Sequence, residues 1–175
     1  MELSRDPITN AIQEGIKGDI EFALSHGRLR ATVILIYAGM DAMAFLNMPS
    51  GQEEVTRSDF IRWTTRYMRF PCKQQIAGAD FYGARCAMLH GYTIKSRMSG
   101  AGKCRMIGYM DESVPEVRYA PSIDSTVVLV SVKALKDAFF RSVDAFLVDA
   151  FADKSRLATL EERLGWLTCQ FPAEH

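Results

Sequence analysis

The sequence predicts a mainly α fold: a bundle of five to six helices with a small antiparallel β-hairpin inserted ahead of the last two. Three observations carry this reading. Apolar residues recur at helical spacing over most of the chain. Only two short runs, CRMIGYM (104–110) and STVVLVSV (125–132), have the β-branched and aromatic character of strands, and a Pro-containing loop separates them. Finally, 175 residues with 48% hydrophobic and 24% charged side chains suit one ordinary globular domain, residues 1–175. Such a chain is long enough to bury about 70% of its unfolded surface.

Asp6-Pro7 is a helix start, an N-cap followed by proline at the first helical position. Ile8, Ile12, Ile16, Ile20 and Leu24 follow at helical spacing, and His26-Gly27 closes the segment. A second helix runs from about Leu29 to Leu46 and stops at Asn47 and Pro49. Thr56 and Asp59 have the spacing of a capping box. In the helix they open, Phe60, Trp63, Tyr67 and Phe70 share one face and are expected in the core, and Pro71 ends it. Residues 79–90 form the fourth helix. SGAGK (99–103) lacks the first glycine and the Ser/Thr of a phosphate loop and precedes a strand, so a flexible turn is expected. The hairpin occupies about 103–132. A long helix then runs from about Lys133 to Ala152, with Leu135, Ala138, Phe139, Val143, Phe146, Leu147 and Phe151 inward, and a last one covers about 155–167.

The four cysteines are scattered, without a C-x-x-C or a histidine at zinc-finger spacing, so neither a disulfide framework, a metal nor a cofactor is expected. The first residues are neither basic nor followed by an apolar core, unlike a signal peptide. The longest apolar stretch, 31–46, is interrupted by Asp41 and falls short of the ~20 residues of a bilayer span. It reads as a buried helix, and the protein as cytoplasmic with no membrane partner. Net charge is zero, yet residues 60–110 hold nine basic side chains and one acid. So polarised a chain presents a basic surface to an anion, for which Arg62, Arg66, Arg69, Lys95 and Arg97 are the nucleic-acid-binding candidates. An ordinary solvated helix face explains the three α-helical arginines equally well.

The stretch DFYGARCAMLHGYT (80–93) places Arg85 and His90 five apart, with Gly91 directly after the histidine. On a regular helix they sit about 140° apart. A left-handed turn at Gly91 is expected to put His90 in the last helical turn, with its ring swung back toward Arg85. A forked, permanently charged guanidinium holds two phosphate oxygens, and an imidazole moves a proton. A bland reading stands beside this: His26-Gly27 ends a helix in the same way, and a polar residue before a terminal glycine is common. Asp41, inside an apolar helix, is costly unless paired, and Arg85 is the partner expected to satisfy it and be oriented by it.

YGARCAMLHGYT resembles the R-x4-6-H signature of HEPN domains (higher eukaryote and prokaryote nucleotide-binding). It is similar to plasmid- and phage-associated members reading YxARCxxLH, with an A-x-x-D-x-x-A-x-L helix upstream, here AGMDAMAFL (38–46). The resemblance spans most of the chain and implies a homodimer in which two motifs meet. It also implies metal-independent cleavage of RNA by a toxin or defence effector, with His90 as acid/base and Arg85 as phosphate clamp. Where catalytic members often carry Asn, Asp or His after the arginine, this chain has Cys86. The alternative is a silent HEPN module that binds RNA or nucleotides, or a dimeric scaffold. Tyr92 resembles the tyrosine adenylylated in toxins paired with a nucleotidyltransferase, which makes it a candidate modification site and such an antitoxin a candidate partner.

Overall fold

Asp6 opens the first helical segment as its residue type dictates: Oδ1 accepts from the Thr9 N–H at 2.8 Å. The computed structural model of the chain describes residues 6–111 and 116–167. Backbone bonding over Ile8–Lys17 is π-helical and runs into α1 (Gly18–Ser25), where the sequence suggested one α-helix. Ile12 and Ile20 are fully buried, and Gly27, at φ +67°, makes the left-handed exit after His26. The helix α2 (Leu29–Leu46) follows. It is long and apolar enough to cross a membrane, but about half of it is buried inside the bundle. At Gly39 an added Cβ would meet Phe139 Cζ at 2.6 Å, so this glycine permits close helix packing.

The helix α3 (Arg57–Tyr67) begins with the capping box expected from T-x-x-D: Asp59 N donates to Thr56 Oγ1 and Thr56 N to Asp59 Oδ2. Phe60, Trp63, Tyr67 and Phe70 are core, as their spacing predicts. The helix nevertheless ends at Tyr67, short of Pro71. Next come α4 (Gly78–Gly91) and the one-turn α5 (Arg97–Gly100), capped by Ser96 and Ser99 where a flexible turn was expected. With α6 (Val132–Ala152) and α7 (Leu157–Leu164), the described residues form seven α-helices, α5 being the unexpected one. In α6 the inward stripe is as predicted except at Phe151, which is exposed while Ala150 is buried in its place. Residues 1–5, 112–115 and 168–175, which include Cys169, lie outside the described residues.

The antiparallel hairpin is corrected. β1 (Met106–Met110) pairs in parallel with β3 (Val127–Ser131), and the two-residue β2 (Val117–Arg118) pairs antiparallel on the other edge, in the order β1-β3-β2. Parallel strands need a connection of about a dozen residues or more, which 111–126 supplies. Side-chain alternation fixes which residues face inward, here Ile107, Val128 and Val130, but it is blind to strand direction.

One ion pair joins this sheet to α4. Asp80, nearly buried, accepts from Arg105 N at 2.8 Å, from Nε at 3.0 Å and from Nη2 at 2.6 Å. Arg105 in turn lies over the Tyr119 ring at 4.7 Å. Removing the acid strands a half-desolvated guanidinium, so Asp80→Ala is expected to lower the unfolding free energy by about 3 kcal/mol. Urea unfolding monitored by tryptophan fluorescence checks this, and an unchanged midpoint contradicts it.

Candidate active site

The site begins with a charge in an apolar helix. Asp41 lies on α2, and the antiparallel run of α4 brings Arg85 over it. Arg85 Nε donates to Asp41 Oδ2 at 2.9 Å and Nη2 lies 2.8 Å from the same oxygen. The pairing expected from the sequence is therefore present. Arg85 Nη1 then reaches His90 Nε2 at 3.0 Å. A guanidinium has no acceptor, so as a hydrogen bond this contact requires Nε2 to accept, which the tautomer with its proton on Nδ1 can do. Asp41, Arg85 and His90 form one chain of contacts from a helix wall to the surface.

The 140° offset is overcome by the length of the arginine arm, not by glycine. The helix α4 continues through Gly91, and the left-handed residue is Tyr92, at φ +52° and ψ +35°. This corrects the expectation that Gly91 makes the turn. Tyr92 N bonds Met88 O at 3.1 Å and Thr93 N bonds Ala87 O at 3.2 Å, closing the helix end. A non-glycine residue there costs about 1–2 kcal/mol. The turn holds the Tyr92 ring out of the core, 60% exposed.

Burial raises the pKa of the Asp41 carboxyl, and it outweighs the Arg85 hydrogen bond and charge that pull it down. For Arg85, desolvation opposes the charged form, but the hydrogen bond and charge of Asp41 win and raise its pKa. The pair thus holds a costly carboxylate next to a secured cation, the pattern that marks functional sites.

Cys86 borders Arg85, and its thiol also meets the Tyr82 hydroxyl one turn earlier on α4. Sequence reasoning passed over Tyr82 and Arg57. The Arg57 guanidinium stands 5.4 Å from the Tyr82 ring centroid and has no carboxylate partner among the described residues. The sequence held only a local hint, a cation at the first position of α3 opposing the helix dipole, and nothing that joins it to Tyr82.

The other predicted residues divide. Lys95 and Arg97 are exposed in the segment that leaves α4, without an ion pair among the described residues. Arg62 pairs with Asp59 at 3.2 Å and Arg66 with Asp149 of α6 at 2.9 Å. Arg69 donates to the Met68 carbonyl. No group of three or more His, Cys, Asp or Glu suited to a metal occurs among the described residues. Comparison with known protein families, with curated proteins and with solved structures finds no match to this chain.

A carboxyl whose folded pKa is raised binds its proton more tightly in the native state, so native stability falls as pH rises from about 4 through the folded value. The wild-type unfolding free energy, taken relative to Asp41→Asn, is therefore expected to decline over that window and then level off. Urea titrations of both proteins at stepped pH measure it. A difference that grows with pH contradicts the assignment.

Proposed function

We propose that this chain is a HEPN-type, metal-independent endoribonuclease acting in the cytoplasm as a homodimer, in the role of a toxin or defence effector. The observation that carries the reading is the Asp41–Arg85–His90 chain of contacts. Of the five N–H donors of a guanidinium, Nε and one on Nη2 face Asp41 and one on Nη1 serves His90. That leaves one on each Nη for the non-bridging oxygens of a phosphodiester, a bidentate arrangement that lysine cannot supply.

Substrate binding sets up the chemistry. With the phosphate on the two spare donors, the His90 ring turns from its Nη1 contact toward the sugar, and an unprotonated Nε2 accepts the ribose 2′-hydroxyl proton. The 2′-oxygen then attacks phosphorus in line. The P–O5′ bond breaks, leaving a 2′,3′-cyclic phosphate and a 5′-hydroxyl. The proton on the departing oxygen comes from the same histidine of the other protomer, which enters the step as the imidazolium and leaves it neutral while the first ring becomes protonated. Arg57, Lys95 and Arg97 extend positive charge along the strand beside the clamp. The partly buried Ile34, two turns before Asp41 on α2, and Leu89, beside His90 on α4, provide apolar surface near the motif for the second copy.

The second reading, a silent module that binds RNA or nucleotides, is favoured by Cys86, since a thiol beside the clamp is a weak hydrogen-bond partner. In either reading Tyr92, exposed beside the motif, stays a candidate for adenylylation by a nucleotidyltransferase antitoxin.

Cleavage of a structured RNA is expected to survive EDTA, to fall about a hundredfold or more in His90→Ala, and to be lost in Arg85→Lys. Gel assays with end-group analysis read all three. Magnesium dependence, or full activity in His90→Ala, assigns the chemistry elsewhere. Light scattering at micromolar concentration is expected to give a dimer, and a monomer contradicts the two-motif site.

A further inference from the structure

Beside the motif lies a feature that the cleavage chemistry does not use. An open cleft of about 460 Å³ is bounded by the start of α2, the end of α4, the Tyr92 turn and the end of β1. Neither Arg85 nor His90 lines it. Its volume falls in the ~300–1,000 Å³ range of small-molecule sites.

Its walls have specific chemistry. Val33, Met88 and Val132 make an apolar floor. Tyr92 forms an aromatic wall, with the Arg30 guanidinium 5.8 Å from its ring centroid. A tyrosine held open by a left-handed backbone is an outlier from which function can be inferred.

Hydroxyl arithmetic adds a donor. Tyr109 and Tyr37 share one hydrogen bond, O···O 2.7 Å, between two O–H groups, so one proton is spare. Tyr37 has no exposed surface, and an unsatisfied donor there carries the full desolvation penalty. Tyr37 therefore donates to Tyr109, and Tyr109, which lines the cleft, keeps a spare hydroxyl proton. Asp111 supplies an exposed carboxylate with no ion pair among the described residues.

We infer that this cleft binds the heterocyclic base of a nucleotide, stacked on Tyr92, with its edge read by Tyr109 and Asp111 and its phosphate facing Arg30. A flat hydrocarbon leaves the edge groups unused, and an aromatic side chain of a peptide brings no phosphate to Arg30. A base supplies a π-face, ring acceptors and an amine in one plane. The base belongs to a free mononucleotide or to a strand. The second source rests on the RNA-cleaving reading, since a phosphodiester at Arg85 and His90 sets a neighbouring base beside Tyr92.

The test is calorimetric titration of the full chain, in the His90→Ala background, with the four nucleoside monophosphates, ribose 5-phosphate and a short oligoribonucleotide. At least one monophosphate or the oligonucleotide is expected to bind at least about tenfold tighter than ribose 5-phosphate. Tyr92→Asn, which removes the ring but tolerates a left-handed backbone, is expected to weaken that binding by about tenfold or more. Tyr92→Phe is expected to retain it. Monophosphate binding identifies the free nucleotide as a ligand, whereas Tyr92-dependent binding of the oligonucleotide alone assigns the base to a strand. Binding no tighter than that of ribose 5-phosphate, or binding unchanged in Tyr92→Asn, overturns the inference. Base binding in a wild-type protein that cleaves no RNA sinks the nuclease reading and leaves the cleft standing. Cleavage lost in His90→Ala alongside ring-independent binding does the reverse.

Discussion

The ion pair between Asp41 and Arg85 is the constraint on which the rest of the site depends. Asp41 sits in the C-terminal half of the apolar helix α2, where burial works against its charge. What makes it tolerable is a guanidinium at 2.8–2.9 Å, delivered by α4. The same contact fixes the guanidinium plane, and that plane decides which nitrogen reaches His90 and which donors remain for a ligand. Even a partly buried ion pair such as this one, with side chains 23% and 30% exposed, loses much of its attraction to desolvation. Its retention here fits orientation of a functional group better than support of the fold.

The fold itself is held by other means. Trp63, Phe139 and Phe146 meet edge to face at the centre of the bundle, and Asp80 with Arg105 ties the sheet to α4. Gly83 lets the strand-leading segment come close, since a Cβ there would meet Cys104 Sγ at 2.4 Å. These contacts fix α4 between α3 and β1. At the end of that helix His90, and Tyr92 just beyond it, are exposed while Met88 stays buried.

Much of this was legible in the sequence where local chemistry decides the outcome. The Thr56/Asp59 box, the aromatic face of α3 and the partnership of Asp41 with Arg85 each follow from residue type and spacing. Three features were not legible, each for a stated reason. Strand direction is absent from the alternation of Ile107, Val128 and Val130, so a parallel pair looked like a hairpin. The left-handed turn was assigned to Gly91 because glycine is the cheapest residue for it, yet backbone bonds to Ala87 and Met88 place it at Tyr92. Arg57 and Tyr82 lie on different helices, and only packing of α3 on α4 joins them.

The central claim is that Asp41 orients Arg85 so that its Nη1 donates to His90 Nε2, which selects, for the neutral ring, the tautomer with its proton on Nδ1. Nitrogen-15 NMR of histidine-labelled protein, at a pH where the ring is neutral, reports this directly. The account predicts a pyridine-type Nε2 and a pyrrole-type Nδ1 for His90, with that preference lost in Asp41→Asn. A protonated Nε2 in the wild type, or a tautomer indifferent to Asp41, contradicts it.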